Sequence, residues 1–449
     1  MSPRSGLMSI QQASMSLRLL PRTAALQLRR RPRIPQSPWS TAIARAHCRS
    51  TSHKSSVTAK PLTTTKLRPL DGITVVSLEH AVAAPFCTRQ LADLGARVIK
   101  VERPGVGDFA RAYDARVGGL ASHFVWLNRS KESLALDLKN SEHIKVLMAL
   151  LDKADVLVQN LAPGASARLG LSYEHLKTKN PGLVVCDISG YGYSGPYRDK
   201  KSYDLLVQSE AGLLSVTGGE HDVAKVGISI ADISAGMYAY TNILAALMQR
   251  QKTGSGCRLD ISMLESMVEW MSFPLYYSYE GAPPPQRTGA SHAAIYPYGP
   301  FETGGGETVI LGIQNEREWH NFCEAVLEKP ELTKDARLAS NSLRVENRQQ
   351  LKEIICAVFQ QFSSAEVRAK LDKASIANAT MNMMQDVWNH PQLRARGRWT
   401  QVSTPNGKVP ALTPPGVATA ADARMDAVPA LGQHTASILK ELGFSDRTV

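Results

Sequence analysis

The stretch from Val226 to Arg250, VGISIADISAGMYAYTNILAALMQR, is mostly apolar, with Asp232 near its start and no basic residue before Arg250. A carboxylate at that place has two uses. Asp at the start of a helix is a common N-cap, its oxygens accepting amides of the first turn. The same setting holds the group in place and keeps it ionised, which suits a nucleophile. Carboxylates attack acyl carbons to give mixed anhydrides, splitting one hard acyl transfer into easier steps. The two uses are compatible, and the local sequence leaves both open.

A second set of residues points to an anion. Arg103 follows KVE, Lys139 closes LDLK, Asn160 opens NLAPG and Arg168 lies in ARLG. Each follows a stretch that reads as a strand of one parallel sheet. Such strands end on a common side, so the four groups are expected to converge on one polyanion. Taken singly, each also reads as a solvated surface charge. The glycine- and tyrosine-rich DISGYGYSGPY, 187–197, reads as a loop able to pack on a ligand.

The elements that must position these groups follow from periodicity. Ile73–Leu78 is β-branched and reads as a strand. PFCTRQLADLGA reads as a helix with Pro85 in its first turn, and RVIKVE as a second strand. Strand, helix and strand make a βαβ unit. The pattern recurs through SEHIKVLMALLDKA, DVLVQN, YEHLKTKN and GLVVCDIS. In the long helix after Asp232, Ile233, Met237, Tyr240, Leu244 and Leu247 fall on one stripe, which predicts the buried face. The first strand–helix turn, LEHAVAAPF, lacks GxGxxG, and no glycine lies between Gly72 and Gly95. Pyrophosphate could not reach that backbone, so a nicotinamide or flavin dinucleotide is not expected. Small Ala81, Ala83 and Ala84 still let something lie close to the chain.

The expected fold class is α/β: a Rossmann-like large domain built on a parallel sheet, with a smaller α+β domain. The Pro-rich GAPPPQRTGASHAAIYP marks the change of texture. The boundaries read as a leader over 1–65, the large domain over 66–290, the small domain over 291–380, and a return to the large domain over 381–449. The tail from Met381 to Gly443 reads as loop-rich before a short final helix.

The net charge of +12 suggests a nucleic acid or a membrane as partner, but ten arginines and three lysines, with no acid, fall within the first 68 residues. The remaining 39 basic residues meet 40 acidic ones, so the body is neutral and neither partner is expected. The Arg- and Ser-rich leader reads as a mitochondrial-type transit peptide, which predicts the mitochondrial matrix. The six cysteines are scattered with no CxxC pair, and no metal-ligand spacing occurs, so no metal is expected.

PLDGITVVSLEHAVAAPFCTRQLADLGARVIKVERPGVGD, NLAPGASARLGL, ISGYGYSGPY and ADISAGMYAYTNILAALMQRQKTGSG together resemble the class III CoA-transferases, relatives of the formyl-CoA and carnitine enzymes. The resemblance runs from about Pro69 to Gly443. It implies that Asp232 is the catalytic aspartate, attacking a donor acyl-CoA. It implies that Val82, Arg103, Lys139, Asn160, Arg168, Lys201 and Tyr203 contact coenzyme A. The CoA thioester is a substrate, and no cofactor is bound permanently. An interlocked homodimer is also implied.

The departures narrow the expectation. Val82 stands where the formyl-CoA enzyme has glutamine, and that enzyme's glycine-rich active-site loop is replaced by GASHAAIYP; the glycines at 304–306 read as a hairpin turn. Formyl and oxalyl substrates are disfavoured. A mitochondrial member of this type implies CoA transfer from succinyl-CoA, or a similar acyl-CoA, to a small dicarboxylate such as glutarate or itaconate. His80, Arg111, Ser291 and His292 are the candidates for the distal carboxylate. The same fold hosts α-methylacyl-CoA racemases, which carry a His-Asp pair where this chain has Tyr203 and Asp204; losing that base disfavours the isomerase reading. A CoA-ester binder without turnover is a third reading, disfavoured by Asp232.

Overall fold

The computed structural model describes residues 67–417, 422–445 and 448. The basic leader expected over 1–65 lies outside the described residues. The central sheet has six parallel strands, β1 (Thr74–Leu78), β2 (Arg97–Glu102), β3 (Lys131–Ala135), β4 (Val156–Gln159), β5 (Val184–Ser189) and β6 (Arg258–Ser262). Their order is β3-β2-β1-β4-β5-β6, so the chain reverses its direction of travel between β1 and β4. In such sheets the ligand crevice lies outside the carboxyl ends of the strands at that switch.

Both faces of the sheet are covered, which is why its strands read as β-branched runs. Alternation sends Val75, Val98, Val156 and Val184 into one core with α1 (Ala83–Asp93) and the long helix Ile230–Thr253. Val76, Ile99, Leu157 and Val185 point the other way. They meet Val146, Leu147 and Leu150 of the helix Ser141–Leu151, and Ile438 and Leu439 of the last helix, Thr435–Leu442.

The long helix buries a different face from the one its large residues suggest. Its fully covered positions are Ala231, Ser234, Ala235, Gly236, Ala239, Ile243, Ala246 and Leu247, while Ile233, Met237, Tyr240 and Leu244 are half-buried. Close contact with α1 is the reason. A Cβ added at Gly236 would stand 2.7 Å from the Ala83 carbonyl oxygen and 3.0 Å from the Phe86 ring. Small residues are needed where two backbones approach this closely. Gly254, at φ 73°, ends the helix with its N–H donated to the Arg250 carbonyl, as the KTGSG signal predicts.

A separate core, including Phe301, Leu311, Trp319, Phe322, Ile355, Phe359 and Leu371, gathers around the antiparallel sheet of β7 (Tyr298–Glu302), β8 (Thr308–Gly312) and β9 (Ala377–Thr380). Gly305 and Gly306, both at positive φ, turn β7 into β8. The tail is more regular than its composition suggests. It holds an antiparallel hairpin, β10 (Trp399–Thr404) and β11 (Gly407–Leu412), with Pro405 and Asn406 in the turn and Gly407 paired to Thr404. Asn-Gly between apolar alternations is a hairpin signal, so the correction was available in the sequence.

Candidate active site

Asp232 is the third residue of its helix, not its cap. Ser229 precedes the helix and makes no side-chain cap bond. The cap arrives from elsewhere: the Ala231 N–H donates to Asp204 Oδ1 at 2.9 Å. Asp204 is itself held by the Gln208 amide, donated to Oδ2 at 2.7 Å. Asp204 opens the helix Asp204–Glu210, so a tertiary contact performs the capping that a local reading gives to Asp232.

This frees the Asp232 carboxylate, which faces the N–H of Ala83, the first residue of α1. The small residues of the first turn therefore admit the long helix and its acid. Burial pushes the Asp232 carboxyl up to about 7, the charge of Asp204 adds to the rise, and the Ala83 N–H opposes it. The group is half-buried. A desolvated carboxylate of raised basicity is a stronger nucleophile once ionised.

An aromatic wall, unremarked in the sequence, flanks the same turn. His80 stacks on Phe109 at 5.3 Å between ring centroids, Phe109 meets Tyr113 at 5.8 Å, and Tyr113 meets His123 edge-on at 5.5 Å. His123 then meets Trp126, and Trp126 meets Phe86. Burial, then the negative charges of Asp108 and Asp232, push the Tyr113 hydroxyl up to about 12, so it stays a donor. The signal was the run of aromatics in FARAYDARVGGLASHFVW.

The residues expected to touch coenzyme A divide into two groups. Val82 is buried at the start of α1. Asn160 bridges the switch point: it accepts the His80 N–H at 2.9 Å and donates to the His80 carbonyl at 2.9 Å. By contrast Arg103, Lys139, Arg168 and Lys201 are exposed, and no ion-pair partner meets their side chains among the described residues. Arg103, Lys139 and Arg168 follow β2, β3 and β4, on the sheet edge that carries the β1–α1 turn. Tyr203 is 69% exposed beside Asp204, and no imidazole takes its place in the chain. A cavity of about 400 Å³ opens along the same edge, lined by Gln159, Ser166, Asp187, Gly192, Tyr193 and Arg258 among others. It does not reach Asp232.

The distal-carboxylate candidates are scattered. His80 lies on the aromatic wall, its Nδ1 buried without a hydrogen-bond partner and 3.9 Å from Asp108. Arg111 is committed elsewhere: it grips Glu102 at 2.9 and 2.8 Å and lies 3.7 Å over the Phe124 ring. Glu102 thus serves an ion pair. Ser291 and His292 have local contacts: Ser291 Oγ sits where a Gly299 side chain would begin, and His292 stacks on Tyr298 at 5.4 Å.

A carboxylate lodged between two helix N-termini, on the sheet edge that carries free cations, suits acyl transfer from an anionic carrier. Residues 70–435 match CoA-transferase family III, and the chain belongs to that family. It is similar to succinyl-CoA:glutarate CoA-transferase of Homo sapiens, 34% identical over 393 residues, which cover 85% of this chain and 88% of that protein. It is 32% identical over 391 residues to succinate–glutarate CoA-transferase of Agrobacterium fabrum, covering 85% of this chain and 97% of that protein. Among solved structures, a CAIB/BAIF family protein from Brucella suis is 34% identical with a TM-score of 0.74, covering 84% of this chain and all of that one.

Proposed function

We propose that the chain moves CoA from succinyl-CoA to a small dicarboxylate, such as glutarate or itaconate, with Asp232 as the acyl carrier. The carrying observation is the Asp232 carboxylate, freed from capping by Asp204 and turned toward the first residue of α1. The names of the relatives supply the substrate class.

Ionised Asp232 attacks the succinyl thioester carbon and expels CoA thiolate, leaving a succinyl–aspartyl anhydride. The thiolate attacks the aspartyl carbonyl, succinate leaves, and an aspartyl-CoA thioester remains. The acceptor carboxylate attacks that thioester, forming a new anhydride and releasing thiolate again. Thiolate then takes the acceptor acyl group, and Asp232 returns as a carboxylate. Thioester energy is conserved at each step, so no resident cofactor or metal is called for. Arg103, Lys139, Arg168 and Lys201 would meet the phosphates, while Val82, Asn160 and Tyr203 would border the carrier.

The body divides into a large domain over 66–290 and 381–449 and a small one over 291–380. It works as a homodimer in the mitochondrial matrix, reached through the leader over 1–65. Support for the dimer comes from Trp270, Phe273, Leu275, Tyr276, Tyr277 and Tyr279, all exposed in one short run. A monomer rarely leaves such a patch in water. Purified protein incubated with succinyl-CoA and glutarate, itaconate, malate, citramalate or acetate tests the reaction. New acyl-CoA with at least one dicarboxylate is expected; none with any acid overturns it.

A further inference from the structure

Beneath the β1–α1 turn lies a group of charges that the reaction itself does not use. Glu79, Lys100, Asp108 and Lys131 are all fully buried. Lys100 Nζ donates to Asp108 Oδ2 at 2.7 Å and lies 3.4 Å from Glu79 Oε1. Lys131 Nζ donates to the same Glu79 oxygen at 2.7 Å and to Asn128 Oδ1 at 3.1 Å. Burial opposes every one of these charges. It works to raise Glu79 and Asp108, yet Lys131 and Lys100 hold both carboxyls below their usual range. Burial pulls Lys131 down to about 8.

Buried ion pairs are expensive, and apolar side chains of similar volume often serve stability as well or better. What this group does that apolar side chains could not is grip the turn. Asp108 Oδ1 accepts the Ala81 N–H at 3.1 Å, and Ala81 sits at φ 61°, a conformation costly for a residue with a side chain. Lys131 Nζ donates to the Pro85 carbonyl at 3.1 Å. Thr88 Oγ donates to Glu79 Oε2 at 2.6 Å. The grips fall at residues 81, 85 and 88, on either side of Ala83, whose N–H faces Asp232 and whose carbonyl lies against Gly236 of the same helix.

We infer that Asp108, Lys100, Glu79 and Lys131 form a positioning network for the nucleophile, fixing the turn against which the Asp232 helix packs. The inference rests on the reading of Asp232 as the acyl carrier. The titratable groups coupled to Asp232 are Asp204 at the start of one helix and Tyr113 on the aromatic wall. Neither belongs to the network, so the network acts on Asp232 through the backbone of the turn.

Asp108→Asn breaks the grip at its centre. One oxygen cannot accept both the Ala81 N–H and the Lys100 ammonium, so either bond must go. The turn then drifts, and moving the Ala83 N–H away from the ionised form raises a carboxyl. The pH–rate profile of succinyl transfer should move its lower inflection upward, and kcat should fall about 10- to 100-fold. KM for succinyl-CoA should stay within about twofold, since uniform binding is untouched. Ala81→Gly placed on Asp108→Asn lets the turn hold φ 61° without the grip; it should bring the inflection back toward wild type. Thr88→Val leaves the charges paired, and it should shift the inflection the same way by less, which covers the case in which Asp108→Asn does not fold.

Hydroxylamine trapping read by peptide mass separates the two readings. Wild type incubated with succinyl-CoA should carry the hydroxamate at Asp232. If it does not, the acyl-carrier reading fails. If it does, and Asp108→Asn and Thr88→Val keep the wild-type inflection, the positioning network is overturned.

Discussion

Two sets of charges lie around the central sheet and differ in whether the fold answers them. Glu79, Lys100, Asp108 and Lys131 are sealed from water and paired at 2.7–3.4 Å. Arg103, Lys139, Arg168 and Lys201 stand in solvent, and Asp232 faces one backbone N–H and a like-charged neighbour. Both sets hold acids and bases, so the sign of the charge alone does not sort them. A charge answered within the chain spends its strength on geometry. A charge left unanswered keeps its strength for a ligand or a reaction. Arg111 shows the distinction at one residue: its sequence position suits a substrate carboxylate, and its guanidinium is already matched to Glu102.

The largest effect should come from Asp232→Asn, the neutral isostere of the unanswered acid. Succinyl transfer should fall by more than about 10³-fold, as for other lost nucleophiles, while CoA binding holds within about twofold by calorimetry. Stability should move the other way. The wild-type carboxyl is raised to about 7 in the fold, against 3.8 as the ordinary value. The folded state therefore binds this proton more tightly, and its stability falls as pH rises from about 4 through 7. The Asn variant escapes that loss and should melt about 2–4 °C above wild type at pH 8, with little difference at pH 4. A lower melting temperature at pH 8 would mean that the carboxylate supports the helix and does not burden it.

Lys131→Met attacks the answered set. It strands Glu79 beside a single remaining lysine and frees the Pro85 carbonyl. Breaking a buried pair by removing one partner costs about 3–5 kcal/mol, readable as a lower denaturant midpoint. Arg103→Ala and Lys139→Ala should instead leave that midpoint within about 0.5 kcal/mol. Each should raise KM for succinyl-CoA severalfold, less so at high salt, with kcat held. If the lysine and arginine variants lose stability alike, the two sets are not distinct.

Much of the sheet was legible because its strands are buried on both faces and spell themselves in Val and Ile, as in Val75–Val76 and Val184–Val185. The long helix was legible in place but not in orientation. Weighing large apolar residues picks Ile233 and Met237, whereas contact with α1 selects Ala235, Gly236 and Ala239. Asp232 stood out because it was an acid in an apolar run. Its cap could not be read, since Asp204 reaches Ala231 across 27 residues of chain. The buried lysines were hidden by the opposite cause: Lys100 and Lys131 lie inside strand-like text, and nothing local says that their heads turn inward to Glu79 and Asp108.

The finest test lies at Asp204, which is answered within the chain at one oxygen and turns its charge toward Asp232. Its Oδ1 accepts the Ala231 N–H, while its charge faces Asp232 and adds to the rise of that carboxyl. Asp204→Asn separates the roles. Asparagine is as good a cap as aspartate, so the helix start should hold. The amide no longer accepts the Gln208 donor at its other atom, a loss of about 1 kcal/mol. Removing the negative charge lowers the Asp232 carboxyl, so the lower inflection of the pH–rate profile should move to lower pH, opposite to the shift from Asp108→Asn. Transfer at pH 8, where Asp232 is already ionised, should change little. An unmoved inflection with lost stability would make Asp204 a cap alone, and the raised carboxyl of Asp232 would then be the work of burial.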